Sequence, residues 1–479
     1  MSNEIRVRFA PSPTGYLHVG SLRTALYNYL YAKKTGGKFI LRIEDTDQTR
    51  YIEGAVENLL NTLKSIGLEY DEGPEKGGDY GPYFQSQRTA IYRKYANELI
   101  EKDAAYYCFC TPEQLEKMRK EQIARGIDAR YDERCRKLSK DEIKENLAKG
   151  KPYVIREKLP KEGEIVFYDI VRDRVAIKWE TVDDQVLIKS DGFPTYHLAN
   201  VIDDHLMKIS HIIRGEEWLS SVPKHLFLYN VFGWKPPKMC HLPLLLNPDK
   251  SKLSKRQGDV AVEDFLAKGY LPEALLNFVA LLGWHSKSDE ELYTLEKLEQ
   301  EFSLKRISKS GAVFDIEKLN WINGHYLRSL EPGYIAIKAR PYFIKAGYDI
   351  SNEEQYLKII DVARNRISVL SDITKISKPF FIEPDFNEED KMLINEENSQ
   401  KLYSFWFENL KEIETISDEA VNNLLQRSTE ELGIKGKDLY FPLRLALFGI
   451  VHGPEFPAII NILGKDETIK RLSNVLDFE

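Results

Sequence analysis

His18-Val-Gly-Ser21 lies just past Pro11-Ser-Pro-Thr-Gly15 and opens a segment with apolar residues at helical spacing. A helix amino terminus directly after a first strand offers unpaired backbone amides and the positive end of the helix dipole, and both favour an anion. Gly20 lets a flat ring approach the backbone, and His18 can donate to a phosphate oxygen. Far along the chain, Lys252-Leu-Ser-Lys-Arg256 puts three cations in five residues, between the turn at Asn247-Pro-Asp249 and Gly258. Such a loop can close on a triphosphate and meet the charge of an α-phosphate as it becomes pentavalent. Taken singly, the histidine reads as a turn residue and the basic run as a solvated turn or a targeting signal. Taken together, they describe a nucleotide site shared by two distant segments. A Walker loop is not the holder, because Thr35-Gly-Gly-Lys38 and Gly433-Ile-Lys-Gly-Lys437 both miss its spacing.

The elements that must position these residues are legible in outline. Ile5 to Ala10 alternates as a strand, Leu22, Ala25, Leu26, Tyr29 and Leu30 mark one face of a helix, and Lys38 to Ile43 makes a second strand. Strand, helix and strand in so short a span imply a βαβ crossover and a parallel, doubly wound sheet. Residues 88–150 read as mainly helical and charged, 152–190 as short strands, and the α/β pattern resumes with a strand from Ile209 to Arg214 and a helix from Val222 to Phe232. Beyond about residue 265 the pattern is nearly all helical, with Leu357, Ile360, Ile367 and Leu370 on one stripe and a helix opening at Pro442. The expected fold class is α/β: a Rossmann-type parallel sheet with an α+β insertion, followed by all-α carboxyl-terminal domains.

Composition bounds the rest. A chain of 479 residues exceeds one core and predicts about three or four domains. Its formal charge of -7 gives no support to nonspecific nucleic-acid binding, so any such contact must be a local patch. The apolar stretch from Leu275 to Trp284 is about half a bilayer span and contains Asn277, so no membrane crossing is expected. The start, Met1-Ser-Asn-Glu, carries neither a secretory nor a transit signature. Three of four cysteines fall between positions 108 and 135, which suggests metal before disulfide, while Cys240 reads as a core residue. A reducing cytoplasm is the expected compartment.

Arg8-Phe-Ala-Pro-Ser-Pro-Thr-Gly15, His18-Val-Gly20, Arg42-Ile-Glu-Asp-Thr-Asp47 and Lys252-Leu-Ser-Lys-Arg256, in this order, closely resemble bacterial glutamyl-tRNA synthetases, and the resemblance covers essentially the whole chain. That family usually writes the two nucleotide signatures HIGH and KMSKS; here they read His-Val-Gly-Ser and Lys-Leu-Ser-Lys-Arg. The resemblance implies ATP, arriving with Mg²⁺, held by His18, Gly20, Glu217, Leu245, Lys252, Ser254 and Lys255. His18, Lys252 and Lys255 would be catalytic, with Lys255 meeting transition-state charge. It adds Ala10, Ser12, Glu44, Tyr196 and Asn200 to a glutamate pocket, with Glu44 on the ammonium group. A carboxylate side chain asks for guanidinium forks. Arg8 and Arg214 supply them, both at carboxyl ends of strands, where open α/β sheets place ligands. Glu44-Asp-Thr-Asp47 could instead gather a divalent metal; ammonium recognition by Glu44 and structural roles for Asp45 and Asp47 are the preferred reading.

Cys108-Phe-Cys110 with Tyr131 and Cys135 resembles the zinc site of some family members, whose further histidine is replaced here by Lys137. One structural Zn²⁺ or simple reduced thiols both fit that pattern. By the same analogy, residues 1–88 and 191–245 form the catalytic domain, and 89–190 an acceptor-binding insertion. Residues 246–330 would be a helical stem-contact region, and 331–479 an anticodon-binding region with a break near 385. The implied partners are tRNA(Glu), L-glutamate and ATP, acting on a monomer. Arg364, Arg366 and Arg444 are candidate tRNA contacts. Rival readings are a nucleotidyl transferase acting without tRNA and a tRNA-binding protein without catalysis.

Overall fold

The computed structural model describes residues 4–253 and 260–476. Its first strand, β1 (Arg6–Phe9), is followed by the helix Val19–Thr35 and by β2 (Lys38–Leu41). The two strands pair in parallel with Arg6 opposite Lys38 and Phe9 opposite Leu41, which is the predicted crossover. The helix buries Leu22, Leu26, Tyr27 and Leu30. Gly36, at a φ of 63°, closes it in a left-handed cap that satisfies the carbonyls of Ala32 and Lys33.

Residues 89–190 hold the helix Thr89–Glu101 and then β3 (Ala105–Cys108), β4 (Val154–Glu157), β5 (Glu164–Asp169), β6 (Asp173–Lys178) and β7 (Val186–Ile188). After the helix Tyr196–Leu206 come β8 (His211–Gly215), the helix Val222–Val231 and β9 (Lys238–Leu242). β3, β4 and β7 make an antiparallel sheet. A second sheet runs β6-β5-β9-β8, with β8 and β9 parallel, so the β5–β6 hairpin joins the resumed α/β segment edge to edge. Packing blends the two regions further. Tyr92, Leu99, Ile155 and Leu187 share one apolar cluster with Leu198, Ile202, Leu228 and Tyr229. β3 falls in the stretch read as helical, because four residues are too few to show a period and its partner β4 is distant in sequence.

The contacts divide the chain into two compact units, Met1–Ala267 with Pro272–Lys318, and Lys268–Leu271 with Leu319–Glu479. The first also contains β10 (Leu245–Leu246) paired in parallel with β11 (Ala312–Val313). The second is helical, as expected, and buries Trp406, whose indole donates to Ser428 Oγ at 2.9 Å. Two local expectations need correction. The stripe from Leu357 to Leu370 is not one helix: Glu353–Ala363 ends first, and Ile367 is extended at φ -121° and ψ 153°. Its side chain and that of Leu370 are buried all the same, so apolar spacing outlived the helix. Pro442 lies inside the helix Lys437–Phe448 instead of opening it, because Gly436, at a φ of 62°, sets the start earlier.

Candidate active site

The carboxyl ends of β1 and β8 face a cleft of about 980 Å³ in the first unit, bordered by Arg8, Ala10, Ser12, Glu44, Tyr196 and Arg214 on one side. Arg8 and Arg214 are 3% and 5% exposed, so what pairs with them decides what the cleft can hold. Arg8 Nε donates to Asp204 Oδ1 at 2.9 Å, and Arg42 Nη1 donates to the same oxygen at 2.8 Å. Arg42 Nη2 reaches Glu44 at 3.1 Å, and Arg88 Nε reaches Asp203 at 2.8 Å. Arg214 differs. It donates to Tyr196 Oη at 2.7 Å and His241 Nε2 at 3.1 Å, with Trp218 O at 3.5 Å, and among the described residues no carboxylate lies within ion-pair distance of it. Arg8, Arg42, Arg88 and Arg214 thus have three carboxylates among them, Glu44, Asp203 and Asp204, while Arg23, also buried at the cleft, is held by the carbonyls of Leu282 and Pro243. Asn200 stands behind the cleft wall; its amide nitrogen donates to Asp204 Oδ2 at 2.7 Å and its oxygen accepts from Tyr196 Oη at 2.7 Å and Arg214 Nη1 at 3.3 Å.

Burial pushes the Glu44 carboxyl up to about 7, against the opposing pull of Arg42 and Arg8. An ammonium ion needs its ionised form. If Glu44 receives the amino group of the substrate, kcat/KM for that amino acid rises about fivefold from pH 6 to 7 and about tenfold from pH 6 to 8, and levels off above that. Glu44→Gln should flatten the profile while lowering it. A parent profile already flat across pH 6 to 8 removes the role. Asp45 and Asp47 serve the loop: Asp45 accepts Ser86 N and Oγ at 2.8 and 2.6 Å, and Asp47 accepts Thr49 Oγ1 at 2.7 Å and Arg50 Nε at 2.6 Å.

The other side of the cleft is lined by His18, Gly20, Glu217, Leu245 and Lys252. His18 caps the helix Val19–Thr35, its Nδ1 accepting from Gly20 N at 2.9 Å. With Nδ1 an acceptor, a neutral ring carries its proton on Nε2. A Cβ on Gly20 would lie 3.2 Å from His18 Nδ1 and 3.7 Å from Leu245, which shows how closely the two segments meet. Leu253 N donates to Leu245 O at 2.9 Å, and Val19 N donates to Val260 O at 2.8 Å. Both flanks of the basic run are therefore held at the cleft. Ser254 and Lys255 lie outside the described residues.

Asp203, Asp204 and His241 were not singled out by sequence reasoning, and Arg42 was named only as the first residue of a family motif. The helix Tyr196–Leu206 carries Tyr196, Asn200 and Asp204 at i, i+4 and i+8, a spacing that puts three polar side chains on one face. An acidic pair ending an apolar helix that begins with two pocket residues was the available signal.

The family model described as tRNA synthetases class I (E and Q), catalytic domain, matches residues 4–321, and that of an anticodon binding domain matches 334–476. The chain belongs to the class I tRNA synthetases. It is 48% identical to the glutamate–tRNA ligase of Clostridioides difficile, over 98% of this chain and 99% of that protein, and 47% identical to that of Alkaliphilus metalliredigens, over 98% of each. A crystal structure of a glutamate tRNA ligase from Elizabethkingia meningosepticum in complex with its amino acid superposes with a TM-score of 0.93 at 39% identity, covering all of both chains.

Away from the cleft, this synthetase gathers Cys108, Cys110 and Cys135 with their sulfurs within 4.8 Å of one another. Tyr131 Oη lies 3.3 Å from Cys108 Sγ and 3.7 Å from Cys110 Sγ, and the Arg156 guanidinium sits 4.0 Å from the centre of the Tyr131 ring. The Cys135 thiol hydrogen bond, against burial, brings Cys108 down to about 4 while Cys135 itself is pushed up. Three sulfurs converging this closely on a phenol form a donor set that suits a soft tetrahedral cation. In the second unit, the arginines proposed for tRNA hold main-chain carbonyls. Arg364 Nη1 donates to Arg328 O and Leu330 O at 3.0 and 2.6 Å, Arg366 Nη2 to Gly453 O at 2.6 Å, and Arg444 Nη2 to Pro454 O at 3.1 Å. Of the described residues, no helix is long and apolar enough to cross a membrane.

Proposed function

We propose that this synthetase activates L-glutamate with ATP and esterifies it onto the terminal adenosine of tRNA(Glu). The observation that carries the amino-acid assignment is the cleft's missing carboxylate: Arg214 is buried, lines the cleft and has only neutral partners among the described residues. A substrate carboxylate there completes the pairing of four guanidinium groups, with Arg8 beside it and Glu44 on the substrate's ammonium group. The α-carboxylate then attacks the α-phosphate of ATP, pyrophosphate leaves, and a ribose hydroxyl of the tRNA attacks the acyl carbon of the adenylate, releasing AMP. No protein nucleophile is required; the residues orient the substrates and stabilise charge. His18, through Nε2, and the Gly20 backbone receive ATP, and Mg²⁺ arrives with it.

Arg214→Ala tests this reading. Loss of a buried charged hydrogen bond is worth about 1.5–3 kcal/mol, so kcat/KM for glutamate should fall roughly tenfold to a few hundredfold, and the preference over glutamine should relax. Unchanged selectivity in aminoacylation assays rejects the role of Arg214.

The protein acts as a monomer in the cytoplasm, a setting that suits its four free thiols. Residues 89–190 receive the acceptor end of the tRNA and the helical region from 331 onward reads the anticodon, in keeping with the anticodon-binding match. Cys108, Cys110, Cys135 and Tyr131 hold one structural Zn²⁺, supported by their convergence. Protein purified without chelator should carry about one equivalent of zinc, and Cys110→Ala should lose it. Less than half an equivalent by metal analysis of the parent removes the claim.

A further inference from the structure

Three neighbouring strands place Asp169, His241 and Arg214 in one row. Arg214 of β8 is in register with His241 of β9, and Asp169, the last residue of β5, is in register with Met239, two residues before His241. Partners in register and residues two apart on a strand share a face, so all three side chains point the same way. Asp169 and His241 are fully enclosed, and neither borders the cleft.

The hydrogen bonds of this row admit one protonation pattern. Asp169 accepts the backbone amides of Val171 and Arg172 at 2.9 Å, that of His241 at 3.1 Å, and Nδ1 of His241 at 2.6 Å. Burial pushes the Asp169 carboxyl up, but these donors outweigh it and hold it below the usual carboxylate range. An ionised carboxylate has no proton to give, so Nδ1 of His241 must carry one. On the opposite edge of the ring, Nε2 lies 3.1 Å from Nε of Arg214, a group that only donates. Both demands are met by the neutral imidazole with its proton on Nδ1 and its lone pair on Nε2. Burial also holds the ring's pKa below its ordinary value, although Asp169 pulls the other way.

We propose that Asp169 and His241 are positioning residues for amino-acid specificity: the carboxylate fixes the tautomer of His241, and His241 anchors Nε of Arg214 so that its Nη groups face the cleft. The inference rests on the reading that Arg214 receives a substrate carboxylate. Its chemical content is separate, because a guanidinium held by a neutral acceptor keeps its full charge for the ligand, whereas one held by a carboxylate, as Arg8 is by Asp204, is already neutralised. The row thus accounts for why Arg214 touches no carboxylate, the charge of Asp169 standing on the far side of the His241 ring.

Asp169→Asn leaves Oδ1 for the amides of Val171 and Arg172, and at 3.3 Å for that of His241, but turns an NH₂ group toward Nδ1. The imidazole proton then moves to Nε2 and meets Arg214 donor to donor. In aminoacylation by the full chain, KM for glutamate should rise about 10- to 100-fold while KM for ATP stays within about twofold, and discrimination against glutamine should narrow. His241→Leu should behave alike. His241→Gln, which can still offer Arg214 an oxygen, should keep KM for glutamate within about tenfold of the parent. Nitrogen-15 spectra of the parent's imidazoles supply a readout that needs no variant to fold: Nδ1 protonated and Nε2 unprotonated is expected for His241. A proton on Nε2, or variants that shift the KM values of glutamate and ATP together, overturns the proposal. A parent enzyme that transferred no glutamate at all would instead overturn the function proposed above, and the spectra would still decide the tautomer.

Discussion

Asp204→Ala is expected to lower stability by about 3–5 kcal/mol, the largest single effect predicted for the first unit, because it removes the one carboxylate paired with buried Arg8 and leaves Arg42 only Glu44 and a longer contact to Asp203. One oxygen of Asp204 accepts Arg8 at 2.9 Å and Arg42 at 2.8 Å, and the side chain is fully enclosed. Neither guanidinium can lose its proton; Arg42 is fully enclosed, and Arg8 meets solvent only where it borders the cleft. Burial alone would push the Asp204 carboxyl up, but Arg8 and Arg42 bring it below its usual value. Its contribution is therefore complete above the ordinary carboxylate pKa and is lost as pH falls through the lower folded value. A thermal scan at pH 7 should show a drop of roughly 5–10 °C in the transition of the catalytic unit. The gap between parent and variant should shrink in acid. A variant within 2 °C of the parent at pH 7 shows that the cluster has other means of balancing its charge.

This cluster marks the limit of what the sequence discloses. Arg8, His18, Gly20 and Arg214 could be found because strand ends and helix starts are where a parallel sheet presents ligands, and local pattern locates both. Asp204 could not, since an aspartate near the end of an apolar helix is an ordinary exposed residue until the fold sets it between Arg8 of β1 and Arg42, just past β2. Asp169 and His241 are hidden for the same reason: their roles follow from the register of three strands, which no local spacing encodes. Regular elements followed the period closely where a long face was buried, as in Val19–Thr35, and departed from it where something else took over. Gly436 moved a helix start away from Pro442, and the stripe that ran on to Leu370 stayed buried after its helix had ended at Ala363.

Lys255→Ala is expected to lower kcat about 10²- to 10³-fold, which corresponds to roughly 2.7–4 kcal/mol of lost transition-state stabilisation, with KM for ATP changed less than about threefold. The residue lies outside the described residues, so the expectation rests on its neighbours. Leu253 is hydrogen bonded to Leu245, Lys252 bridges to Leu246, and Val260 accepts from Val19, one residue after His18. The described flanks, Leu253 and Val260, are thus each held beside residues that line the cleft. Binding the ground state equally well would gain little for turnover, whereas a contact that strengthens as the α-phosphate becomes pentavalent lowers the barrier itself. The two lysines should then separate: Lys252 already borders the cleft, so Lys252→Ala should raise KM for ATP as well as lower kcat. Single-turnover measurement of adenylate formation at saturating ATP distinguishes them. If Lys255→Ala weakens ATP binding at an unchanged rate, its charge serves the ground state, and transition-state stabilisation must come from His18 and the amino terminus of the helix it caps.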